Sequence, residues 1–189
     1  MENKTNKTFK TKIILAIETS NGCQPARRCK ATLRWHTPPP ITTMIDIDAL
    51  KNYAYDTIGA IHEVHKELGP GLNEKIYQEG LQLELTERGI PFERELTFHP
   101  IYHGQKMEAT YRLDFLVNKD IVVELKTVES LISEHKAQLF NYMRLVGASV
   151  GILVNFYPRF AEIERYFYDR EEKEIYGSDG FAVRKFKSS

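Results

Sequence analysis

The spacing of apolar residues predicts two helices at the start of the patterned part of the chain. Apolar residues recur three and four positions apart between Asp48 and Leu68, as on one face of a helix, and Gly69-Pro70-Gly71 then ends the pattern. Asn73 follows as a candidate N-cap for a second helix, which carries a further apolar stripe and ends at Gly89. Two helices therefore precede the first strand.

Beyond Pro91 the pattern changes to runs rich in β-branched and aromatic residues, which are typical of strands. Three such runs cover residues 92–102, 107–117 and 121–127. They are followed by a predicted helix from Ser133 to Val146, a buried strand from Val150 to Val154 and one further strand over residues 161–168. We therefore predict an α/β fold: a helix, a three-stranded meander, a helix and a strand, with an extra N-terminal helix.

The distribution of charge suggests a domain boundary near Met44. Residues 1–43 carry eight Lys and Arg against two Asp and Glu, and they lack sustained periodicity. We interpret them as a disordered basic arm. Patterned sequence begins at Met44, so a second interpretation is that the native protein starts there and that the arm is not part of it. The rest divides into a domain at 44–168 and a C-terminal tail at 169–189.

The part of the chain after the arm holds 18 basic and 24 acidic residues, so it lacks the domain-wide positive charge of many nucleic-acid-binding proteins. A nucleic-acid role would depend on local chemistry or on a partner that supplies affinity. Both cysteines, Cys23 and Cys29, lie in the arm, which favours a reduced, cytoplasmic protein. The apolar run Ile13–Ile17 is too short for a signal peptide or a membrane span, so we expect no membrane association.

Two acidic residues and a lysine interrupt the apolar pattern of the second and third predicted strands. Asp114 lies on one strand, and Glu124 and Lys126 lie on the next. Because side chains alternate along a strand, Glu124 and Lys126 share one face. The three-residue connection Asn118–Asp120 sets Asp114 opposite Glu124, with Cβ atoms about 4.5–5.5 Å apart. A two-residue turn would set Asp114 opposite Val123, with the two carboxylates on different faces.

Two carboxylates that meet in a partly dry pocket repel each other unless a cation joins them. Their oxygen atoms suit hard divalent ions, so we predict Mg²⁺ or Mn²⁺ as the cofactor. Such an ion would activate water and neutralise charge on a phosphate, while Lys126 would orient the water or stabilise the developing charge. The alternative, on spacing alone, is an exposed and solvated ion pair without chemical consequence.

Several blocks of the sequence resemble the GxxExxY proteins, a branch of the PD-(D/E)XK nuclease superfamily. Between Ile58 and Phe156 these blocks are IGAIHEVHKELGPGLNEKIYQEGLQLEL, RGIPFERE, YRLDFLV, VVELK, EHKAQLFNYMRLVG and GILVNF. The resemblance implies a restriction-endonuclease-like core in which Asp114, Glu124 and Lys126 are the signature residues. It also implies that Gly71, Glu74 and Tyr77 give the family its name, with Glu74 near the metal. Leu113 stands where the superfamily pattern has proline.

Three polar residues on the third predicted helix form a stripe, because His135, Gln138 and Tyr142 are three and four positions apart. By resemblance, Gln138 would contact substrate phosphate or a metal-bound water, with His135 and Tyr142 in support. The alternative is a hydrogen-bonded structural glutamine.

On the first helix, His62 and His65 are three positions apart, not the four of a zinc protease helix. Packing is the expected role of His65 and Glu63, although the resemblance allows a place at the rim of the site.

Together these features predict a metal-dependent nuclease that hydrolyses phosphodiester bonds in DNA, with RNA as the second substrate to consider. Asp114, Glu124 and Glu74 would bind the metal, and Lys126 and Gln138 would act on water and substrate. One alternative is a nucleic-acid-binding protein that keeps the fold without the activity. The other is a dimeric interaction protein, either a homodimer or a protein that binds another chain.

Overall fold

Two helices open the part of the chain that the computed structural model describes, residues 47–186. Helix α1 spans Ile47–Leu68 and helix α2 spans Glu74–Glu87, close to the predicted bounds. The Ile76 amide donates to the Asn73 side chain at 3.2 Å, so Asn73 is the N-cap of α2. The predicted arm, its cysteines and the end of the predicted tail lie outside the described residues. No helix within residues 47–186 combines the length and the apolar character needed to cross a membrane.

The strands form one large mixed sheet and one small hairpin. In chain order they are β1 at Phe92–Phe98, β2 at Ile101–Tyr102, β3 at Gln105–Lys106, β4 at Tyr111–Val117, β5 at Ile121–Lys126, β6 at Val150–Asn155, β7 at Glu162–Asp169, β8 at Glu174–Gly177 and β9 at Ala182–Lys185. The sheet order is β1-β4-β5-β6-β7-β8-β9, and β2 pairs with β3. Strands β5 and β6 are parallel and are joined by helix α3 at Ser133–Val146. The predicted α/β class is confirmed.

The predicted meander is present as β1, β4 and β5, but the first two predicted strands were too long. Strand β1 ends at Phe98 and β4 starts at Tyr111, and the residues between them include the hairpin β2–β3. His103 and Gly104 form its two-residue turn with φ angles of 48° and 77°, as a turn with two left-handed residues requires. This turn closes a separate short hairpin, whereas the apolar pattern indicated a break between two long strands.

The tail that the pattern left unassigned contributes β8 and β9 to the large sheet. Ile175 on β8 is fully buried, and it belongs to the same apolar cluster as Tyr166 and Tyr168 of β7. One buried position in β8 and none in β9 give too weak a periodic signal to be found in a charged sequence.

Helix α3 packs closely on β5 and β6 because the sequence has glycine at the contact. Leu139 and Met143 are fully buried and belong to one cluster with Val122 and Leu153. A Cβ atom on Gly151 would lie 2.3 Å from the Met143 sulfur, far inside van der Waals contact. The absence of a side chain at Gly151 therefore fixes the height of α3 above the sheet.

The turn between β4 and β5 produces the register that the sequence predicts. The partners are Phe115 with Val123, Leu116 with Val122, and Val117 with Ile121. One further step along both strands brings Asp114 opposite Glu124. The third residue of the turn, Asp120, accepts hydrogen bonds from the Ser149 amide at 2.9 Å and from Arg170 at 2.8 Å. The turn is thus tied to the α3–β6 connection and to the end of β7.

Candidate metal centre

The two site strands separate at Asp114 and Glu124. The pair Phe115–Val123 is the last of the β4–β5 ladder, while β4 keeps its pairing with β1 and β5 keeps its pairing with β6. At the opening, Asp114 Oδ2 accepts a hydrogen bond from the Leu125 amide at 2.8 Å. The carboxylate therefore replaces the strand carbonyl that would otherwise satisfy this amide, and this contact holds Asp114 across the opening from Glu124.

Glu124 is buried, and only one of its two carboxylate oxygens has a hydrogen-bond partner. It is 2% exposed, its Oε1 atom lies 2.6 Å from Lys126 Nζ, and its Oε2 atom is buried without a hydrogen-bond partner. Burial, together with the negative charge of Asp114, raises the pKa of Glu124 to about 8. A buried carboxylate oxygen without a partner is unfavourable, so this oxygen is suited to a cation.

Two further charged groups complete the electrostatics of the opening. Glu74 is half-buried in the first turn of α2, and burial raises its pKa, with Lys126 opposing and Asp114 adding to the effect. Burial alone would lower the pKa of Lys126, but the Glu124 carboxylate, with Glu74 and Asp114, outweighs burial and keeps that pKa above its ordinary value. Lys126 is therefore a protonated ammonium among three carboxylates, and full ionisation leaves the opening net negative.

Mg²⁺ or Mn²⁺ fits this set of oxygen atoms. Within residues 47–186, no three His, Cys, Asp or Glu side chains are arranged to hold a metal by themselves. Asp114 bonds to the Leu125 amide, and Glu124 bonds to Lys126. Mg²⁺ does not require a complete protein cage, since it commonly binds one or two carboxylates and keeps several waters. Asp114 and the free Oε2 atom of Glu124 meet that requirement.

Residues 51–166, more than half of the chain, match the model of the PD-(D/E)XK nuclease superfamily. The chain belongs to the PD-(D/E)XK nuclease superfamily. It is also similar to a solved structure described as the crystal structure of SSO0001, with 26% identity and a TM-score of 0.41, over 63% of this chain and 59% of that chain. The chain thus spans 59% of the length of that protein. No curated protein matches the sequence significantly.

Within this PD-(D/E)XK fold, helix α2 holds the second oxygen of Asp114. Gln78, which is buried, donates from Nε2 to Asp114 Oδ1 at 3.0 Å. Burial raises the pKa of Asp114, although the Leu125 hydrogen bond acts in the opposite direction. The sequence interpretation missed Gln78. The available signal was its position four residues after Glu74, which puts both side chains on one face of α2.

Helix α3 joins two residues of its predicted stripe by a hydrogen bond and uses the third elsewhere. Gln138 donates from Nε2 to the Tyr142 hydroxyl at 3.0 Å. Burial raises the pKa of Tyr142, and the charges of Glu124 and Asp114 add to this, so its hydroxyl lies within electrostatic reach of the carboxylates. His135 is at the start of α3, where Nδ1 accepts the Ile132 amide at 3.3 Å.

Tyr77 shapes the loop that leads into α2. It is fully buried, its hydroxyl donates to the Gly69 carbonyl at 2.5 Å, and it accepts from the Leu72 amide at 3.2 Å. Its ring stacks on Phe156 at 4.4 Å. Tyr77 therefore fixes the turn before Glu74 and does not contact the carboxylate pair itself.

The two candidates on helix α1 have packing and surface contacts. His65 is buried, its Nε2–H donates to the Pro158 carbonyl at 3.0 Å, and its ring stacks on Phe156 at 6.0 Å. Glu63 pairs with Lys66 at 2.8 Å on the surface. His65 therefore anchors the connection after β6, while the structure does not bring Glu63 to the opening.

A second residue that the sequence interpretation missed lies beside Lys126. Asn155 is fully buried and is the strand partner of Lys126. It donates to the Val128 carbonyl at 2.7 Å, and its Oδ1 atom accepts the amides of Val128 at 3.1 Å and Tyr157 at 3.2 Å. Asn155 thus holds together the two connections that follow β5 and β6. Its only signal in the sequence was a polar residue at the end of an apolar strand.

Proposed function

We propose that this chain is a divalent-metal-dependent nuclease that hydrolyses phosphodiester bonds, with DNA as the expected substrate. The observation that carries the proposal is the pair Asp114 and Glu124 at the opening of the sheet, with the buried Oε2 atom of Glu124 free and Lys126 beside it. Membership of a nuclease superfamily supports it.

We also infer that the chain is of the GxxExxY branch. Gly71 has a φ of 89°, which a residue with a side chain adopts at a cost, and Tyr77 bonds to the same turn. Glu74 starts α2 and is electrostatically coupled to Asp114 and Lys126. The motif thus has two residues that build a turn and one residue that this turn directs to the site.

Each residue of the opening has a distinct proposed role. Asp114 and Glu124 would hold Mg²⁺ or Mn²⁺, with Glu74 assisting through water. When bound, the ion would supply an acidified water and neutralise charge on the phosphate. Lys126 keeps its proton, so it acts as a donor that orients the attacking water or stabilises charge on the phosphate. Gln138, which donates to the Tyr142 hydroxyl at 3.0 Å, would contact substrate.

The test is cleavage of mixed DNA and RNA substrates by the full chain with Mg²⁺ or Mn²⁺. Asp114→Asn and Lys126→Ala are each expected to lower the rate by at least about 100-fold, since one loses charge at the metal and the other a donor to the reacting phosphate. Lys136→Ala is the matched control, because Lys136 also pairs with a glutamate, Glu164, at 2.7 Å. Circular dichroism verifies that all variants fold.

Equal rates in all three variants and the wild type would contradict the proposal. Binding of nucleic acid without cleavage in either metal would favour the non-catalytic binding protein.

A further inference from the structure

Two chain connections leave the sheet at the same end of the strands as Asp114 and Glu124. Strand register places Phe98 beside Tyr111 and Asn155 beside both Lys126 and Glu162. The β1–β4 connection, which contains the hairpin β2–β3, and the β6–β7 connection at residues 156–161 therefore both leave from this end. Both connections therefore border the end of the sheet at which a polymer would reach Asp114 and Glu124.

Both connections expose aromatic side chains. Tyr102 on the hairpin is 67% exposed, and Phe160 in the β6–β7 connection is 75% exposed. Tyr111 starts β4, between the hairpin and Asp114 in sequence, and its ring meets the Tyr142 ring edge-on at 6.0 Å. Of these two rings Tyr111 is 39% exposed and Tyr142 is buried, so Tyr111 alone of the pair adds to the exposed aromatic surface.

Phe160 lies in a connection that is held by hydrogen bonds at two neighbouring residues. The β6–β7 connection is anchored where Pro158 accepts the His65 hydrogen bond and where Tyr157 donates its amide to Asn155. Arg159 lies over the Phe160 ring at 5.5 Å. An exposed ring with a neighbouring guanidinium is suited to stack on a nucleobase while the cation meets a phosphate.

Few cations accompany these rings. The exposed cations on the two connections and the adjoining strand start are Lys106, Arg112 and Arg159, and Arg112 already contacts Glu95 at 3.4 Å. Phosphate contacts can therefore supply only part of the affinity, and the exposed rings are the other available source. Rings stack on bases that are not already stacked in a duplex.

We propose that Tyr102 and Phe160 form a base-stacking platform and that the substrate of the site is an unpaired nucleic-acid strand. This inference rests on the proposed nuclease function for the identity of the polymer, and it adds the form in which the polymer is bound. The platform holds the strand on both sides of the opening, so its backbone passes the carboxylate pair.

The test is binding of fluorescein-labelled oligothymidine by the full chain, measured by anisotropy in EDTA so that cleavage cannot interfere. Phe160→Ala and Tyr102→Ala are each expected to weaken binding by about 5- to 150-fold, the usual effect of losing one stacked base. Phe181→Ala and Tyr55→Ala are the matched controls, since these rings are 74% and 77% exposed but lie on other elements, the β8–β9 turn and helix α1. Both controls are expected to bind as the wild type does.

Salt dependence and a duplex competitor give two further readouts. The three cations beside the platform, each contributing about 0.7 on single strands, account for a slope of about −2 in log affinity against log salt. A duplex of the same length is expected to compete poorly.

The platform is overturned if Phe160→Ala and Tyr102→Ala both bind like the controls or if the duplex competes equally. Oligothymidine binding that depends on the platform, without cleavage in Mg²⁺ or Mn²⁺, would refute the nuclease and leave the platform standing. Duplex cleavage that is unaffected by Phe160→Ala would refute the platform alone. Loss of self-association in Phe160→Ala, with unchanged oligothymidine binding, would reassign this surface to a dimer interface and would also overturn the platform.

Discussion

Glu124→Gln is expected to remove a large pH dependence of stability from the metal-free protein. Glu124 has an ordinary pKa of 4.5 and a pKa of about 8 in the folded chain, mainly because it is buried. Between pH 4.5 and about 8 the folded state keeps a proton on Glu124 that the unfolded state releases. The contribution of this proton to the stability of the folded state is therefore fully present below pH 4.5 and is lost as the pH rises to about 8. At about 1.4 kcal/mol for each pH unit, the full loss is about 5 kcal/mol, which we treat as a ceiling.

The assay is urea unfolding in EDTA at about pH 5 and about pH 9, followed by circular dichroism. The free energy of unfolding of the wild type is expected to fall by a few kcal/mol more than that of Glu124→Gln between these two values. Glu67→Gln, the same change at a side chain that is 69% exposed, serves as the control and should follow the wild type. Replacing EDTA with Mg²⁺ should raise the free energy of unfolding of the wild type at the higher pH, but not that of Glu124→Gln.

Parallel pH profiles for the wild type and Glu124→Gln would refute the reasoning, because they would show that Glu124 is not a buried, destabilised carboxylate. The profile is independent of catalysis, so it tests the electrostatics of the site even if the substrate is never found.

Three other substitutions test individual contacts. Tyr77→Phe should lower the free energy of unfolding in urea by about 1–2 kcal/mol, because Gly69 and Leu72 both lose their partner; an unchanged midpoint would contradict the role of this hydroxyl. Gln78→Ala should weaken Mn²⁺ binding by about 10- to 100-fold in calorimetry, because it orients Asp114; equal affinity would show that the Leu125 amide suffices. Gly151→Ala should cost about 1–3 kcal/mol in thermal unfolding, because its new methyl group would meet Met143, and Met143→Ala in the same chain should recover part of that loss.

Local signals in the sequence predicted most of the elements and the register. Asn73 and Gly147 mark the start of α2 and the end of α3, because capping depends on residues next to one another in the chain. The opposition of Asp114 and Glu124 followed from the length of one turn. These features depend on few residues, so a single sequence is enough to find them.

Contacts between distant segments of the chain could not be predicted from such local signals. Gln78 reaches Asp114 across 36 residues of sequence, and Asn155 reaches Val128 across 27. Periodicity indicates which face of an element is buried but not which side chain it meets. The hairpin β2–β3 was missed for a different reason, since His103-Gly104 also fits a break between two long strands.

The three-residue turn that ends in Asp120 has a consequence for tolerance to insertions and deletions. Surface turns usually accept a change of length, because the elements they join remain in place. Here one residue fewer would shift β5 by one position, so that Val123 would stand opposite Asp114 and Glu124 would point away from it. The anchorage of Asp120 to Ser149 and Arg170 opposes such a slip. We therefore expect length variants of this turn to lose the cation site while keeping much of the surrounding architecture.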